Sequence, residues 1–199
     1  MPIFQHSALA TKLLSGLQGI EIGGAAHNPF GLNTQNVDFT NHRTVFKQLE
    51  IEHCGTALPV DIVAHGDQLP FDDNQLDFVI SSHVIEHFYD PIAAIKEWLR
   101  VTKHGGLVFM IVPHKDRIFD RHKDRIFDRH EQETTAEELI QRHNSDNRPE
   151  ISSHEAFSHW SFWTPVQFLE LCSQMKWNVE QVQDPDDKVG NGFTVVIRK

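Results

Sequence analysis

The fold is decided by residues 18–38, which read QGIEIGGAAHNPFGLNTQNVD. The segment begins with the apolar run Ile20–Ile22, which carries one acid, Glu21; it then breaks into the small residues 23–26 and closes on Asp38. A β-branched run followed by small residues is typical of a buried strand that leads into a tight turn, where glycine lets a ligand approach the backbone closely. An acid at the end of the next strand can accept hydrogen bonds from both hydroxyls of a ribose. The segment therefore predicts a nucleoside-binding crevice in an open α/β sheet.

The turn departs from the phosphate-binding pattern G-x-G-x-x-G. Ala25 stands at the second glycine position and Asn28 at the third, so a buried strand and turn without a ligand remains an alternative. Only about a dozen residues, among them Pro29 and Gly31, separate the turn from Asp38, which is barely the length of a parallel crossover. We therefore expect a shortened or missing first crossover helix.

Composition sets the class of protein. The chain has 199 residues and 39% hydrophobic content, enough for one sizeable α/β core. Its apolar runs are all shorter than the roughly 20 residues that cross a bilayer, and its first residues lack a signal pattern. Cys54 and Cys172 are far apart in the sequence, which favours free thiols in a reducing cytoplasm. The net charge of −10 disfavours binding to nucleic acid.

Strands and helices are predicted to alternate along most of the chain. After the first two strands, apolar runs predict strands at Val60–Ala64, Leu76–Ser81, Leu107–Val112, Trp177–Val182 and Gly192–Arg198. Helices are predicted at residues 7–17, at 42–52, from Asp90-Pro91 to the basic and glycine residues 103–106, at 135–143 and from Thr164-Pro165. This alternation is typical of a mainly parallel sheet with helices on both faces, whose ligands bind at the carboxyl ends of the strands.

Residues 113–160 interrupt this alternation. The sequence KDRIFDRH occurs twice in tandem, at 115–122 and 123–130, which indicates a local duplication rather than a repeat array. We expect one domain over residues 1–199, with a lid-like excursion at about 113–160.

Four segments resemble the class I S-adenosylmethionine-dependent methyltransferases: EIGGAA, NVDF, HGDQLPFDDNQLDFVISSHVIEH and WLRVTKHGGLVFMIVP. They fall within residues 18–113 and occur in the order of that family. The resemblance implies a Rossmann-like fold with a mainly parallel seven-stranded sheet and an antiparallel last strand. It also implies S-adenosylmethionine as the cofactor and methyl transfer as the reaction.

The resemblance assigns the methionine end of the cofactor to two strands. Glu21 would hold the methionine amino group through water, and Ser81 would present its carbonyl to the same group. The backbone of Gly23, Gly24 and Ala25 would pass beneath the methionyl and ribose parts.

The resemblance assigns the nucleoside end to the next turns. Asp38 would chelate the ribose hydroxyls, Asp67 would accept from the adenine amino group, and the Gln68 backbone would lie near the ring. His27 or Asn28 would replace the contacts that the N-terminus of a crossover helix makes.

Two histidines are candidate general bases. His83 follows the fourth strand and His114 follows the fifth, so both are expected at the rim where a methyl acceptor binds. An imidazole can take a proton from a hydroxyl or amine acceptor at neutral pH. The alternatives are that His83 caps a helix and that His114 is a solvated loop residue.

The acceptor is expected to be a small molecule or a saccharide-type metabolite. The acidic net charge disfavours nucleic acid, and we expect no membrane partner. Aromatic residues at positions 160, 162 and 163 could stack on a flat or sugar-like acceptor or pack in the core. The atom methylated and the oligomeric state are left open.

Two alternative functions remain. Residues 83–87, HVIEH, match the inverted zinc-peptidase motif H-x-x-E-H, which would make a zinc hydrolase, although the resemblance already accounts for this segment and we predict no metal site. The other alternative is a module that binds S-adenosylmethionine without catalysis, because fold does not fix function.

Overall fold

The computed structural model describes residues 4–27, 29–117, 132–146, 149 and 158–199, and the backbone alone of residues 119–120 and 125–126. The main strands within these residues are β1 (Gly19–Ile22), β2 (Thr34–Asp38), β3 (Ile62–Val63), β4 (Leu76–Ser82), β5 (Thr102–Pro113), β8 (Asn178–Gln183) and β9 (Gly192–Arg198). Two short strands, β6 (Phe119–Asp120) and β7 (Arg125–Ile126), form a separate pair. The helices are α1 (Ala8–Leu14), α2 (Val45–Cys54), α3 (Pro91–Val101), α4 (Ala136–Asn144) and α5 (Pro165–Gln174), with a 3₁₀ turn at Ile85–His87.

The main sheet has seven strands in the order β3-β2-β1-β4-β5-β9-β8. Strands β1 to β5 pair in parallel, whereas β9 lies antiparallel between β5 and β8. The predicted fold class, a Rossmann-like, mainly parallel sheet with an antiparallel last strand, is therefore confirmed.

Side chains alternate between the two faces of the sheet, as a strand requires. On β5, Val108 and Met110 belong to the larger core, beneath α3, α4 and α5. Phe109 and Ile111 belong to a smaller core on the opposite face, covered by α1 and by Phe30. Helices thus cover both faces, and the unbroken apolar run of β5 is explained by burial on both sides.

The first crossover has no helix among its described residues, as the sequence predicts. Between β1 and β2 the chain runs as a loop in which Phe30 is buried to 2% exposure. Gly31 has a φ of +74°, and a β-carbon there would lie 2.4 Å from the ring of His6. The loop therefore uses Phe30 to cover the smaller core where a crossover helix would otherwise lie.

The start of α3 is confirmed, whereas its predicted end is wrong. Asp90 caps the helix by accepting from the Ala93 N–H at 3.0 Å, and Pro91 is its first residue. The helix ends at Val101, because residues 103–106 belong to β5. A register shift in the β4–β5 pairing accommodates these residues before the continuous ladder begins at Leu107.

The helix predicted at residues 135–143 is confirmed as α4. Thr135 caps the helix and accepts from the Glu138 N–H, while the Glu138 carboxylate accepts from the Thr135 N–H at 2.8 Å.

The tandem repeat contributes the short strand pair: β6 from the first copy pairs antiparallel with β7 from the second. Residues 115–117 of the first copy are also described, and the rest of the duplicated segment lies outside the described residues. Within the described part of the chain, no helix is long and apolar enough to span a membrane.

Candidate functional site

The carboxyl ends of the central strands meet at one rim of the sheet. Ile22, the last residue of β1, pairs with Val37 on one side and with Ser81 on the other. The predicted residues Gly23, Asp38 and His83 follow these positions directly or within two residues. Parallel strand ends at one level bring these residues together, as the sequence predicts.

The turn after β1 must be glycine for steric reasons. Gly23 has a φ of +64°, and a β-carbon there would lie 2.8 Å from Cγ2 of Val84, in the segment that follows β4. A β-carbon on Gly24 would lie 2.6 Å from Oδ1 of Asn36. The small residues therefore let the backbone of the first turn pack against two other strand ends, and the next residue, Ala25, is buried.

Asn36 holds this turn in place, a role that the sequence analysis missed. Its Oδ1 accepts from the Gly24 N–H and its Nδ2 donates to the Gly24 carbonyl, both at 3.1 Å. Its position two residues before Asp38 puts both side chains on the same face of β2, which is the signal that could have identified it.

A buried ion pair supports the same turn from α2. Lys47 Nζ donates to the Gly24 carbonyl at 2.6 Å and to Glu50 Oε2 at 3.0 Å. Glu50 Oε1 in turn accepts from the Leu58 N–H at 2.8 Å. Both charged side chains are almost fully buried. The ion pair therefore stabilises the turn after β1 and is not a solvent-exposed surface pair. A Lys and a Glu three residues apart are more often solvated, so this burial could not be predicted from their spacing.

Glu21 is a buried acid at the centre of the rim. Burial raises its pKa from 4.5 to about 7, although the positive charges of Lys188 and Lys47 act in the opposite direction. Lys188, from the β8–β9 connection, donates to the Pro29 carbonyl at 2.8 Å, and burial lowers its pKa to about 8. Burial therefore outweighs the attraction between Glu21 and Lys188 in both groups.

Asp38 ends β2 with an exposure of only 9%. Burial raises its pKa, while hydrogen bonds from the backbone of Thr40 and then the charge of Lys47 act to lower it. A largely buried carboxylate held by backbone donors is suited to accept hydrogen bonds from a polar ligand.

The segment after β4 contains two further predicted residues. Ser81 is buried to 1% exposure, and its hydroxyl has no hydrogen-bond partner among the described residues. The neighbouring Ser82 hydroxyl lies 2.9 Å from Nδ1 of His27, so His27 does contact this strand end. Asn28, the other predicted substitute for a crossover helix, lies outside the described residues.

His83 has an unusual backbone and a buried ring nitrogen. Its φ is +54°, a left-handed conformation that non-glycine residues seldom adopt, and its N–H donates to the Ile111 carbonyl at 2.9 Å. Its Nε2 is buried with no hydrogen-bond partner in the described part of the chain. Burial, and next the charge of His27, lower the pKa of His83 well below its usual range. The ring is therefore neutral at pH 7, and the same burial makes it a weaker base than an exposed imidazole.

His114 lies at the end of β5 in different surroundings. Its Nδ1 accepts from the Asp116 N–H at 3.3 Å, and its backbone pairs with Trp163. Burial lowers its pKa, and the charge of Arg117 adds to this effect. Its ring is thus engaged by its own loop, whereas Nε2 of His83 is not so engaged.

The turn after β3 lies beside β1. A β-carbon on Gly66 would lie 3.1 Å from Cγ2 of Ile22, and the Gly66 carbonyl accepts from the indole of Trp98 at 2.7 Å. The next two residues, Asp67 and Gln68, are exposed, and the Gln68 N–H donates to the His65 carbonyl at 2.9 Å. The turn therefore presents Asp67 to solvent at the same rim.

The helical zinc motif expected as an alternative at residues 83–87 is not formed. Only Ile85–His87 are helical, as one 3₁₀ turn, and His83 precedes it in a left-handed conformation. His83 and His87 therefore do not share a face of an α-helix, which the inverted motif requires.

Comparison with known proteins agrees with this geometry. Residues 25–110 match the family model described as a methyltransferase domain. An uncharacterized methyltransferase of Mycobacterium sp. strain KMS is 43% identical over 61 residues, which cover 29% of this chain and 24% of that protein. One from Schizosaccharomyces pombe is 51% identical over 41 residues, covering 21% and 15%. The match therefore spans a quarter or less of each of these relatives.

A solved structure is similar over nearly the whole chain. An S-adenosylmethionine-dependent methyltransferase from Methanosarcina mazei superimposes with a TM-score of 0.57 at 13% identity, covering 96% of this chain and 97% of that one. At this identity the likeness shows the fold. Together with the match of residues 25–110 to the methyltransferase-domain model, it confirms the resemblance to the class I S-adenosylmethionine-dependent methyltransferases.

The residues at the rim fit the cofactor of that family. Glu21 and Asp38 supply carboxylates at neighbouring strands, and the Gly23 turn leaves no room for a side chain. The buried Ser81 hydroxyl and His83 Nε2 are polar atoms without described partners. Such atoms are expected where a polar ligand completes a site.

Proposed function

We propose that the chain transfers a methyl group from S-adenosylmethionine to a small-molecule or saccharide-type acceptor. The observation that carries this proposal is the grouping of Glu21, Gly23, Asp38 and His83 at the aligned ends of β1, β2 and β4. Buried carboxylates, a glycine turn and an imidazole whose Nε2 has no hydrogen-bond partner among the described residues occupy one edge, where open α/β sheets bind their ligands.

The cofactor-binding roles follow from chemistry and position. Asp38 would accept from the ribose hydroxyls, and Asp67, exposed on the neighbouring turn, would accept from the adenine amino group, with the Gln68 backbone beside the ring. Glu21, when ionised, would hold the methionine ammonium through water, and Ser81 would present its carbonyl to it. The backbone of residues 23–25 would lie beneath the ligand, held from behind by Asn36 and Lys47.

The bound cofactor supplies a methyl group on a positively charged sulfur, which is already a good leaving group. The chain must therefore mainly position the acceptor and, for a hydroxyl or amine, remove its proton. We propose that Nε2 of His83 accepts this proton, because the ring is neutral at pH 7 and Nε2 has no hydrogen-bond partner among the described residues. His114 is retained as the second candidate base, with its Nδ1 already occupied.

The acceptor class rests on charge and on aromatic residues near the rim. The net charge of −10 repels nucleic acid. Trp160 is half-buried, and its ring packs edge-on against Tyr89 at 5.4 Å, whereas Trp163 is fully buried in the core. Trp160 and Tyr89 therefore offer the aromatic surface on which a flat or sugar-like acceptor would stack.

We further propose that residues 1–199 form one domain, with the excursion at about residues 113–160 acting as its lid.

Transfer of labelled methyl groups tests the proposal. The protein is incubated with methyl-labelled S-adenosylmethionine and fractionated metabolites, including a set of saccharides, beside the Asp38→Ala variant. Label in a small-molecule fraction, lost with Asp38→Ala, is the expected result. Cofactor binding without transfer to any fraction would favour the non-catalytic module, and label in RNA or protein would overturn the acceptor class.

A further inference from the structure

Three titratable side chains outside the proposed cofactor site converge beside His83. Nε2 of His87 lies 3.7 Å from Oε1 of Glu86, and Nε2 of His159 lies 4.0 Å from the same oxygen. One ligand atom from each of these three residues lies within 4.8 Å of the others. We call Glu86, His87 and His159 the Glu86 cluster.

Backbone hydrogen bonds hold the two halves of the cluster together. The Trp160 N–H donates to the Glu86 carbonyl at 2.8 Å. Nδ1 of His87 lies 3.1 Å from the Ser158 carbonyl oxygen. The segment 158–160 is thereby fastened to the 3₁₀ turn on both sides of His159, so the cluster is built by the fold rather than by chance contact of long side chains.

The contact with Ser158 fixes the tautomer of His87. A carbonyl oxygen only accepts, so Nδ1 must carry the hydrogen, and in the neutral ring Nε2 presents its lone pair towards Glu86. A lone pair near a carboxylate repels it unless a proton or a metal cation lies between them, and either imidazole nitrogen could share such a cation with Glu86. Metal-binding histidines characteristically donate their other ring N–H to a backbone carbonyl, which orients the ligating nitrogen.

The surroundings of the cluster favour a bound cation over a solvated ion pair. Glu86 is 1% exposed, and the two imidazole rings pack edge-on with centroids 4.9 Å apart. Phe46 lies 5.6 Å from the His87 ring and Phe162 lies 6.3 Å from the His159 ring. In such apolar surroundings an electrostatic attraction is screened less than in water.

We propose that Glu86, His87 and His159 bind a divalent transition metal ion, for which zinc is the reference. Two imidazoles and one carboxylate are a ligand set that zinc uses in open sites, with water or substrate in the fourth position. Tetrahedral ligands at about 2.0–2.2 Å from zinc lie roughly 3.3–3.6 Å apart. The two distances to Glu86, 3.7 and 4.0 Å, would therefore contract by roughly half an ångström, and the pair of histidine ligand atoms, within 4.8 Å of each other, by at most about 1.5 Å.

The place of the site suggests what the open position holds. His83 lies two residues before the 3₁₀ turn Ile85–His87, which carries two of the three proposed ligands. An oxygen bound to the metal would therefore lie at the same end of β4 as the proposed base. This part rests on the proposed function: the oxygen would belong to the methyl acceptor, and the metal would orient it.

Zinc binding by the full chain tests the site. The protein is stripped with a chelator, and zinc affinity at pH 7.5 is measured by calorimetry and by competition with a chromogenic chelator. The variants are His87→Ala, His159→Ala and Glu86→Gln, with His104→Ala, an exposed histidine on β5, as the matched control. We expect one strong zinc site in the parent and the control, and at least 10- to 100-fold weaker binding in each cluster variant.

Cobalt substitution gives a second measurement for variants that fold poorly. A Co²⁺ complex of this ligand set absorbs visible light much more strongly than octahedral aqueous Co²⁺. His159→Ala should remove this strong absorption. Failure of the parent to bind zinc, or equal affinity in the parent and His159→Ala, would overturn the proposal. S-adenosylmethionine binding is measured on the same samples, so metal loss with intact cofactor binding separates this inference from the proposed function.

Discussion

Replacing Glu21 with glutamine should stabilise the protein at alkaline pH while it harms the cofactor site. Glu21→Gln keeps the size of the side chain and removes its charge. Burial raises the pKa of Glu21 from 4.5 to about 7, so the folded chain resists ionising this group while the unfolded chain ionises it freely.

The magnitude follows from the shift in pKa. A rise from 4.5 to about 7, at about 1.4 kcal/mol for each pKa unit, corresponds to roughly 3 kcal/mol. Because the folded pKa is the higher one, this contribution to the free energy of unfolding is fully present below about pH 4.5. It is lost progressively as the pH rises through about 7.

Urea unfolding at about pH 5 and pH 8 measures the effect on either side of the isoelectric point of about 5.7. Relative to the parent, Glu21→Gln should gain about 2.5 kcal/mol between the two pH values, on the order of 8 °C in Tm at the higher pH. The variant should also lose affinity for S-adenosylmethionine. If the free energies of unfolding of the parent and Glu21→Gln differed by the same amount at both pH values, the claim that burial raises the pKa of Glu21 to about 7 would be refuted.

Three further predictions concern the base, the ion pair and the repeat. In steady-state kinetics, His83→Ala should lower turnover by about 10²–10⁴-fold while cofactor affinity is retained. Parental rates in both His83→Ala and His114→Ala would mean that neither histidine is a general base and that positioning of the acceptor alone accelerates methyl transfer. Lys47→Met removes the cation that pairs with the buried Glu50, and it should lower the free energy of unfolding, measured by heat or urea, by about 3–5 kcal/mol. The double variant with Glu50→Leu should recover part of this loss, and strictly additive effects of the two changes would show that the two charges do not interact. Deletion of residues 123–130 removes one copy of the repeat and should leave the cooperative unfolding transition in place, while a large fall in Tm would place the repeat in the core.

The sheet could be predicted from the sequence because its signals are local. The apolar run at Leu107–Val112 and the Asp90-Pro91 helix start each depend on neighbouring residues, and both are observed. The end of α3 could not be predicted in this way. Residues 103–106 look like a basic, glycine-rich helix end, but they form an irregular segment of β5 between Thr102, which pairs with Leu76, and Leu107, which pairs with Phe78.

The candidate site divides along the same line. The rim residues Glu21 and Asp38 are marked by strand ends and by a family pattern, so they were found from the sequence. Lys188 and His159 were not found, because each reaches its partner across a long stretch of chain. Contacts with Pro29 and Glu86 respectively depend on how the β8–β9 connection and the segment before α5 fold back over the rim.

Calorimetric titration with S-adenosylmethionine and its demethylated product tests the central claim most directly. The parent should bind with measurable heat, and Asp38→Ala should bind about 10- to 100-fold more weakly, because it loses charge-assisted hydrogen bonds worth about 1.5–3 kcal/mol. Asp72→Ala, which removes an exposed acid before β4, should bind like the parent. No binding by the parent, or equal affinity in the parent and Asp38→Ala, would contradict the assignment of this rim to the cofactor.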